Sequence, residues 1–216
     1  MRFFAAPGLL ILAACVTHAP SPVGPAFLSA CAPPSVSVAV TDDLPRAYDE
    51  ALHAAFSPEG TAPVGYAAMI AEEIVARELT PRLTAYRGDA PCALTVEVAN
   101  VILPDATRFT ALSGMKSYGV LMTLTAPDGA VLAETTRPFT VLAEPQRHGR
   151  LGGSAWRRLG NTDDLRVEVI VSLSEATARI VSEAVTGGQA QSGMSGRLVA
   201  YPERLEPAAP ETFAAP

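Results

Sequence analysis

The residue best placed for covalent chemistry is Cys15, which ends the string Leu12-Ala13-Ala14-Cys15. Arg2 is the only charged residue before it, and residues 3–14 carry no polar side chain. This apolar run is shorter than the roughly 20 residues that span a bilayer, but it suits the core of a signal peptide. A leucine and two small residues before a cysteine form the pattern of a bacterial lipobox, in which the thiol receives diacylglycerol. We therefore predict a signal peptide over residues 1–14 and a membrane anchor on Cys15, with an ordinary secretory signal as the alternative.

Two further cysteines, Cys31 and Cys92, remain once Cys15 is assigned to lipid. A lipobox-like string also ends at Cys31, but three prolines interrupt the segment before it. An exported protein enters a compartment that permits disulfides. Each cysteine lies just before a predicted strand, so parallel pairing of those strands would bring both to one end of the sheet. We predict that they form a disulfide. The alternative is a free thiol at Cys31 and a simply buried Cys92.

The basic segment, residues 147–158, has four arginines, a histidine, a tryptophan and no acid. Arginines beside an interfacial tryptophan can bind phosphate head groups or an acidic partner. The alternative is a solvated loop with its tryptophan packed onto the domain. The candidate residues for binding an anionic ligand or partner are Arg147, His148, Arg150, Trp156, Arg157 and Arg158.

Catalytic patterns are nearly absent. The three histidines, at positions 18, 53 and 148, lack metal-ligand spacing, and the cysteines form no CxxC pair. Ser154 lies in a Gly-Gly-Ser-Ala-Trp string, but a nucleophile elbow needs glycine where Trp156 stands. The acidic pairs at 42–43 and 163–164 lie where helix caps are expected. We predict a protein that is not an enzyme and uses no cofactor or metal; the alternative is a cryptic hydrolase using Ser154 and His148.

The elements that position these residues follow from periodicity. Alternating valines predict a strand over residues 35–41, and a second alternation predicts one over 93–103. An acidic pair followed by proline predicts a short helix from residue 42 to 56, and helical spacing predicts a longer helix over 65–83, ended or bent by Pro81. Residues 118–124, a Pro-Asp-Gly turn and residues 131–141 form a hairpin, with Pro138 placing the return strand at an edge or breaking it. The closing helix spans 165–185, although its valine-rich start could also form a strand.

This order predicts an α+β fold, a two-layer sandwich with the order β-α-β-β-β-α. Its four-stranded mixed sheet is covered by two main helices. The strand–helix–strand crossover makes the first two strands parallel. We place a Pro-rich, lipidated tether at residues 15–34, the α+β domain at 35–186 and a disordered tail at 187–216.

The charge of the chain argues against nucleic-acid binding. The formal net charge is −6, and loss of Arg2 with the signal peptide makes it −7. No run after residue 14 is long enough for a transmembrane helix.

Residues 94–185 resemble an uncharacterised family of small alphaproteobacterial lipoproteins. The resemblance lies in Phe109-Thr110-Ala111-Leu112, in the strand over 118–124 with its Asp-Gly-Ala-Val-Leu turn, and in the closing helix. The element order is also similar to that of LptE-like lipopolysaccharide-assembly lipoproteins and of auxiliary lipoproteins of envelope ABC transporters, at the level of fold. Val16 rather than aspartate follows Cys15, which by similarity to Gram-negative lipoprotein sorting implies the outer membrane. The expectation is an outer-membrane lipoprotein facing the periplasm that binds an envelope protein or anionic lipid; a purely structural lipoprotein is a further alternative.

Overall fold

The protein folds around a six-stranded mixed sheet, and the computed structural model describes residues 18–103, 116–142, 162–191, 197–201 and 204. The predicted α+β sandwich is confirmed, although the described part has more strands than the four expected. The strands are β1 His18–Pro20, β2 Ser35–Val40, β3 Ala93–Ile102, β4 Ser117–Thr125, β5 Val131–Thr135, β6 Phe139–Leu142, β7 Gln189–Gln191 and β8 Leu198–Ala200. The helices are α1 Pro25–Ala30, α2 Arg46–Phe56, α3 Tyr66–Leu79 and α4 Thr162–Val185, with a 3-10 turn at Thr80–Leu83.

The centre of the sheet is β3, which lies between β2 and β4. Its pairing with β2 is parallel, with Ser35 opposite Ala93, as predicted. Its pairing with β4 is antiparallel, so the sheet is mixed. Alternate residues Leu94, Val96 and Val98 are buried under the helices, because side chains alternate between the two faces of a strand.

The predicted hairpin is present, but its return strand is broken in two. β5 pairs with the second half of β4, and β6 pairs with the first half. The break falls at residues 136–138, because Pro138 has no backbone N–H for a ladder. The hydroxyl of Thr135 fills part of the gap by accepting a hydrogen bond from the Met122 N–H at 3.0 Å.

Helices α3 and α4 pack on the sheet, and α2 packs against both of them. Pro81 lies in the 3-10 turn that ends α3, as predicted. The valine-rich start of α4 is helical, which excludes the strand alternative. The predicted stripe of α4 is buried, because residues three or four apart share a helix face: Leu165, Val169, Leu173, Ala176, Ile180 and Ala184.

Both predicted ends of the domain are wrong. Residues 18–34 form β1 and α1 instead of a tether, because Val23, Phe27 and Cys31 recur every four residues and are buried in the core. At the other end, β7 pairs with β1 and β8 extends the sheet beside β5. These three-residue strands are too short to show an alternation in sequence. The expectation of disorder over residues 187–216 therefore fails for both of them.

The helix-cap interpretation of Asp42-Asp43 is also wrong. The N-cap of α2 is Pro45, which provides no side-chain hydrogen bond. The Asp42 carboxylate instead accepts a hydrogen bond from the Val101 N–H at 2.7 Å, joining the end of β2 to β3. Asp163 and Asp164 lie in the first turn of α4, where the helix dipole favours negative charge.

Replacing the buried Phe27 tests whether the N-terminal segment belongs to the domain. We expect Phe27→Ala to lower the free energy of unfolding by about 3 kcal/mol, through lost burial and the cavity left behind. Phe56→Ala is the matched control, since 52% of that side chain is exposed and its replacement should cost no more than about 0.5 kcal/mol. Urea unfolding measures both. Equal small effects would show that α1 is not packed on the core.

Candidate functional site

Most of the residues singled out from the sequence lie outside the described part of the chain. These are Cys15, Ser154 and all six candidates of the basic segment, Arg147, His148, Arg150, Trp156, Arg157 and Arg158. The structure does bring Cys31 and Cys92 together. It also describes the nearest residues on either side of the basic segment, Leu142 before it and Thr162 after it.

Cys31 and Cys92 form the predicted disulfide, with their Cα atoms 5.6 Å apart. Both side chains are buried, and the two residues are 61 positions apart in sequence. The parallel pairing of β2 with β3 brings them to one end of the sheet, as the sequence argument required. Closing a loop of this length stabilises the fold by about 4 kcal/mol in the chain-entropy description.

A close backbone approach surrounds the disulfide. The Gly88 N–H donates to the Cys31 carbonyl at 2.8 Å, and the Ala32 N–H donates to the Ala90 carbonyl at 2.8 Å. A Cβ atom on Gly88 would lie 2.2 Å from the carbonyl carbon of Ala30, so only glycine fits there. The segment around α1 is therefore tied by covalent and hydrogen bonds to the loop before β3.

The same N-terminal segment is also fixed to the end of α4. The Ser21 N–H donates to the Gly188 carbonyl at 2.9 Å, and the Ser21 hydroxyl donates to the Ala184 carbonyl. The buried Tyr86 hydroxyl donates to the Val185 carbonyl at 2.6 Å, which links the loop before β3 to this helix end. We call this part of the domain, formed by β1, α1, β7 and the last turn of α4, the anchor end.

The opposite end of the sheet carries an exposed apolar pair. Ile102 ends β3 and Leu142 ends β6, and both are paired with Ser117 at the start of β4. The exposed fractions of Ile102 and Leu142 are 49% and 44%, while Ser117 between them is buried. This row, which we call the distal end, lies nine residue steps along β3 from the disulfide end, about 30 Å. Four residues, 143–146, separate Leu142 from the basic segment.

A polar cluster is buried between α2, β4 and α4. The hydroxyls of Tyr118 and Ser174 are neighbours, and neither has a hydrogen-bond partner within the described part of the chain. Burial raises the pKa of Tyr118 far above its usual value, an effect that Ser174 reduces and Tyr48 increases. Burial likewise raises the pKa of Tyr48 to about 12, partly offset by the positive charge of Arg166. Both tyrosines therefore stay protonated at neutral pH and are held as hydrogen-bond donors, not as bases.

The buried polar cluster supplies hydrogen-bond donors. Three buried groups have no hydrogen-bond acceptor among the described residues: the Arg166 Nε, the Tyr118 hydroxyl and the Ser174 hydroxyl. Buried donors of this kind cost stability unless an acceptor such as an ordered water reaches them. Across the described ranges, no three His, Cys, Asp or Glu side chains are grouped to hold a metal ion.

One buried carboxylate, Asp49, has a structural role that the sequence did not predict. It accepts hydrogen bonds from the N–H groups of Gly65 at 3.1 Å and Ala67 at 2.8 Å. Arg46 lies 3.5 Å from it. Asp49 on α2 therefore caps the start of α3 from outside that helix. Gly65 has a φ of 79°, a left-handed conformation that glycine adopts readily.

Comparison with protein-family models, curated proteins and solved structures gives no match to this chain. The resemblance to small alphaproteobacterial lipoproteins and the absence of enzyme activity stay predictions. Within the described residues, no helix is both long enough and apolar enough to cross a membrane.

Two tyrosines offer a matched test of the buried cluster. Tyr118→Phe removes a hydroxyl that has no acceptor in the described ranges, so we expect the free energy of unfolding to stay within about 1 kcal/mol or to rise. Tyr86→Phe removes the donor to Val185, and we expect a loss of about 1 to 3 kcal/mol. Urea unfolding of both variants against the wild type gives the comparison. An equal loss in the two would show that Tyr118 has a hydrogen-bond acceptor in solution.

Proposed function

We propose that the protein is a lipid-anchored lipoprotein of the bacterial envelope, held on the periplasmic side of the outer membrane through Cys15. Its α+β domain binds an envelope partner protein or anionic lipid and catalyses no reaction. The observation that carries the proposal is the buried Cys31–Cys92 disulfide, because structural disulfides persist in oxidising compartments such as the periplasm. The lipobox pattern at Leu12-Ala13-Ala14-Cys15 supplies the anchor.

The distal end supports the binding part of the proposal. Ile102 and Leu142 expose apolar side chains on one row of the sheet, and a paired apolar surface of this kind favours contact with another molecule. The basic segment begins five residues after Leu142, at Arg147, and adds four arginines in a chain that is otherwise acidic. An apolar row that is followed in the sequence by a cluster of arginines suits a ligand with both acidic and apolar groups, such as an anionic lipid or an acidic protein surface.

A second candidate function, the periplasmic hydrolase using Ser154 and His148, has a separate test. Purified protein would be assayed with short-chain esters, and any turnover should disappear in Ser154→Ala. The tyrosines of the buried cluster offer this activity no general base, because burial keeps them protonated.

Replacing the anchor cysteine tests the localisation. We expect Cys15→Ser to block acylation, to prevent the mass increase of the mature chain and to release the protein from the membrane fraction. Mass spectrometry and fractionation of cells that express the full chain provide the measurements. Cys31→Ser is the control, because it removes the disulfide but should leave acylation and membrane association intact. Unchanged processing of Cys15→Ser would contradict the anchor.

Replacing the basic arginines tests the ligand. We expect the change of Arg147, Arg150, Arg157 and Arg158 to glutamine to weaken sedimentation of the unacylated domain with anionic vesicles, and salt to weaken it in the wild type. Arg77, Arg82, Arg179 and Arg204, changed together to glutamine, form a control of equal charge. Equal sedimentation of the wild type and the basic-segment variant at low salt would exclude lipid as the ligand of this segment.

A further inference from the structure

The position of Cys15 relative to the folded domain restricts how the domain can sit on a membrane. Only Val16 and Thr17 separate the cysteine from His18, the first residue of β1. Three residue steps span at most about 11 Å, which is less than half the thickness of a bilayer core. A lipid anchor at Cys15 would therefore hold the start of β1 within about 11 Å of the lipidated cysteine, and so close to the head groups.

The structure shows what else must be near the membrane if β1 is. β1 is paired with β7, and Ser21 is hydrogen-bonded to the turn after α4. α1 is attached to the loop before β3 by the disulfide and the Gly88 contact. None of these elements can move away from β1 without breaking a ladder, a disulfide or a buried contact. The whole anchor end follows the position of Cys15.

The charge of the anchor end suits a lipid surface. Residues 15–41 contain no Asp, Glu, Lys or Arg, in a chain whose formal net charge is −6. The exposed residues of α1 are uncharged: Pro25, Ala26 and Ser29. The neighbouring loop adds one exposed charge of each sign, Arg87 and Asp89. The last turn of α4 adds Glu183, whose charge is paired with that of Arg179 one turn earlier. A surface without net charge can approach anionic head groups without the repulsion that an acidic surface meets.

The other end of α4 differs in both position and charge. This helix has 24 residues, so its start lies about 36 Å from its end. Its first two turns carry Asp163, Asp164 and Glu168, while Arg166 is paired with Asp163. The distal row of Ile102 and Leu142 lies at the corresponding end of the sheet, since the strand that holds Ile102 begins beside the disulfide.

We propose that the domain stands upright on the bilayer, with the anchor end against the lipid head groups and the distal end directed away from them. This inference rests on the proposed lipid anchor. It deepens the proposed function, because the distal end then meets its partner some 30 Å from the anchoring membrane, a distance set by the length of β3. The partner is reached across the periplasm and not within the leaflet that holds the acyl chains.

Two labelling positions distinguish the upright arrangement from one in which the domain lies flat. Ser29 is exposed on α1, and Asp164 is exposed in the first turn of α4. Ser29→Cys and Asp164→Cys would each be prepared as the full acylated chain and labelled with an environment-sensitive fluorophore without reductant, so that Cys31 and Cys92 stay paired. The proteins would be reconstituted into vesicles of phosphatidylethanolamine and phosphatidylglycerol that contain a lipid with a spin-labelled head group.

We expect the spin-labelled lipid to quench the fluorophore at position 29. The fluorophore at position 164 should fluoresce as strongly as it does in vesicles without the spin-labelled lipid. Equal quenching at both positions, or quenching at Asp164 alone, overturns the upright arrangement while the anchor stands. A protein that is not acylated and does not float with the vesicles overturns the anchor and the arrangement together. Mass spectrometry of each sample separates the two failures.

A spacer variant tests the cause of the arrangement. Inserting a flexible Gly/Ser segment of about 20 residues between Thr17 and His18 leaves acylation possible but lets the domain move tens of ångströms from the surface. We expect it to relieve most of the quenching at Ser29. Full quenching in the spacer variant would overturn the claim that the short connection to Cys15 holds the domain in place.

Discussion

The parallel pairing of β2 with β3 is the constraint on which the rest of the structure depends. Parallel neighbours must be joined by a crossover, and here the crossover contains α2 and α3. Of these two helices, α3 packs on the sheet beside α4, and α2 packs against α3 and α4. The same pairing brings Cys31 and Cys92 to one end of the two strands, where the disulfide closes. Because that end also receives the last turn of α4, one edge of the domain collects the N-terminal segment, the disulfide and a helix terminus.

The consequence is a domain whose two ends differ in chemistry. The anchor end is held by backbone hydrogen bonds, the buried Phe27 of α1 and the adjacent disulfide, and it has few charges. The distal end exposes apolar side chains at Ile102 and Leu142 and carries the carboxylates of the first turns of α4. The proposed lipid attachment at Cys15 would lie just before the anchor end, and the exposed apolar row lies at the distal end. This arrangement suits a protein that is attached to a membrane at one end and binds a partner at the other.

The buried polar groups of the interior differ in their hydrogen bonding. Both oxygens of Asp49 accept hydrogen bonds from the N–H groups at the start of α3. Tyr118 is buried just as deeply, yet its hydroxyl lacks an acceptor within the described residues. The Asp49 carboxylate stabilises the junction of α2 and α3, whereas the Tyr118 hydroxyl lowers the stability of the fold until an acceptor reaches it. Burial raises the pKa of Tyr48 to about 12 and that of Tyr118 further, so the fold should lose stability as the pH rises above 10.0, where an unfolded tyrosine releases its proton more readily.

The sequence by itself determined the elements that have strong periodicity. Local pattern predicts the buried stripe of α4, the alternation of β3 and β4, the break at Pro138 and the α+β class. A repeated apolar spacing places all its apolar side chains on one face only in the helix or strand that has the same period. The disulfide followed from two strands and a topological rule. Only the tertiary structure decided that residues 18–34 belong to the domain and that β7 and β8 exist, because strands of three residues gain their stability from a partner elsewhere in the chain. It also decided the hydrogen-bond partners of Asp42 and Asp49. The sequence around a carboxylate near a helix start does not indicate which distant N–H group will donate to it.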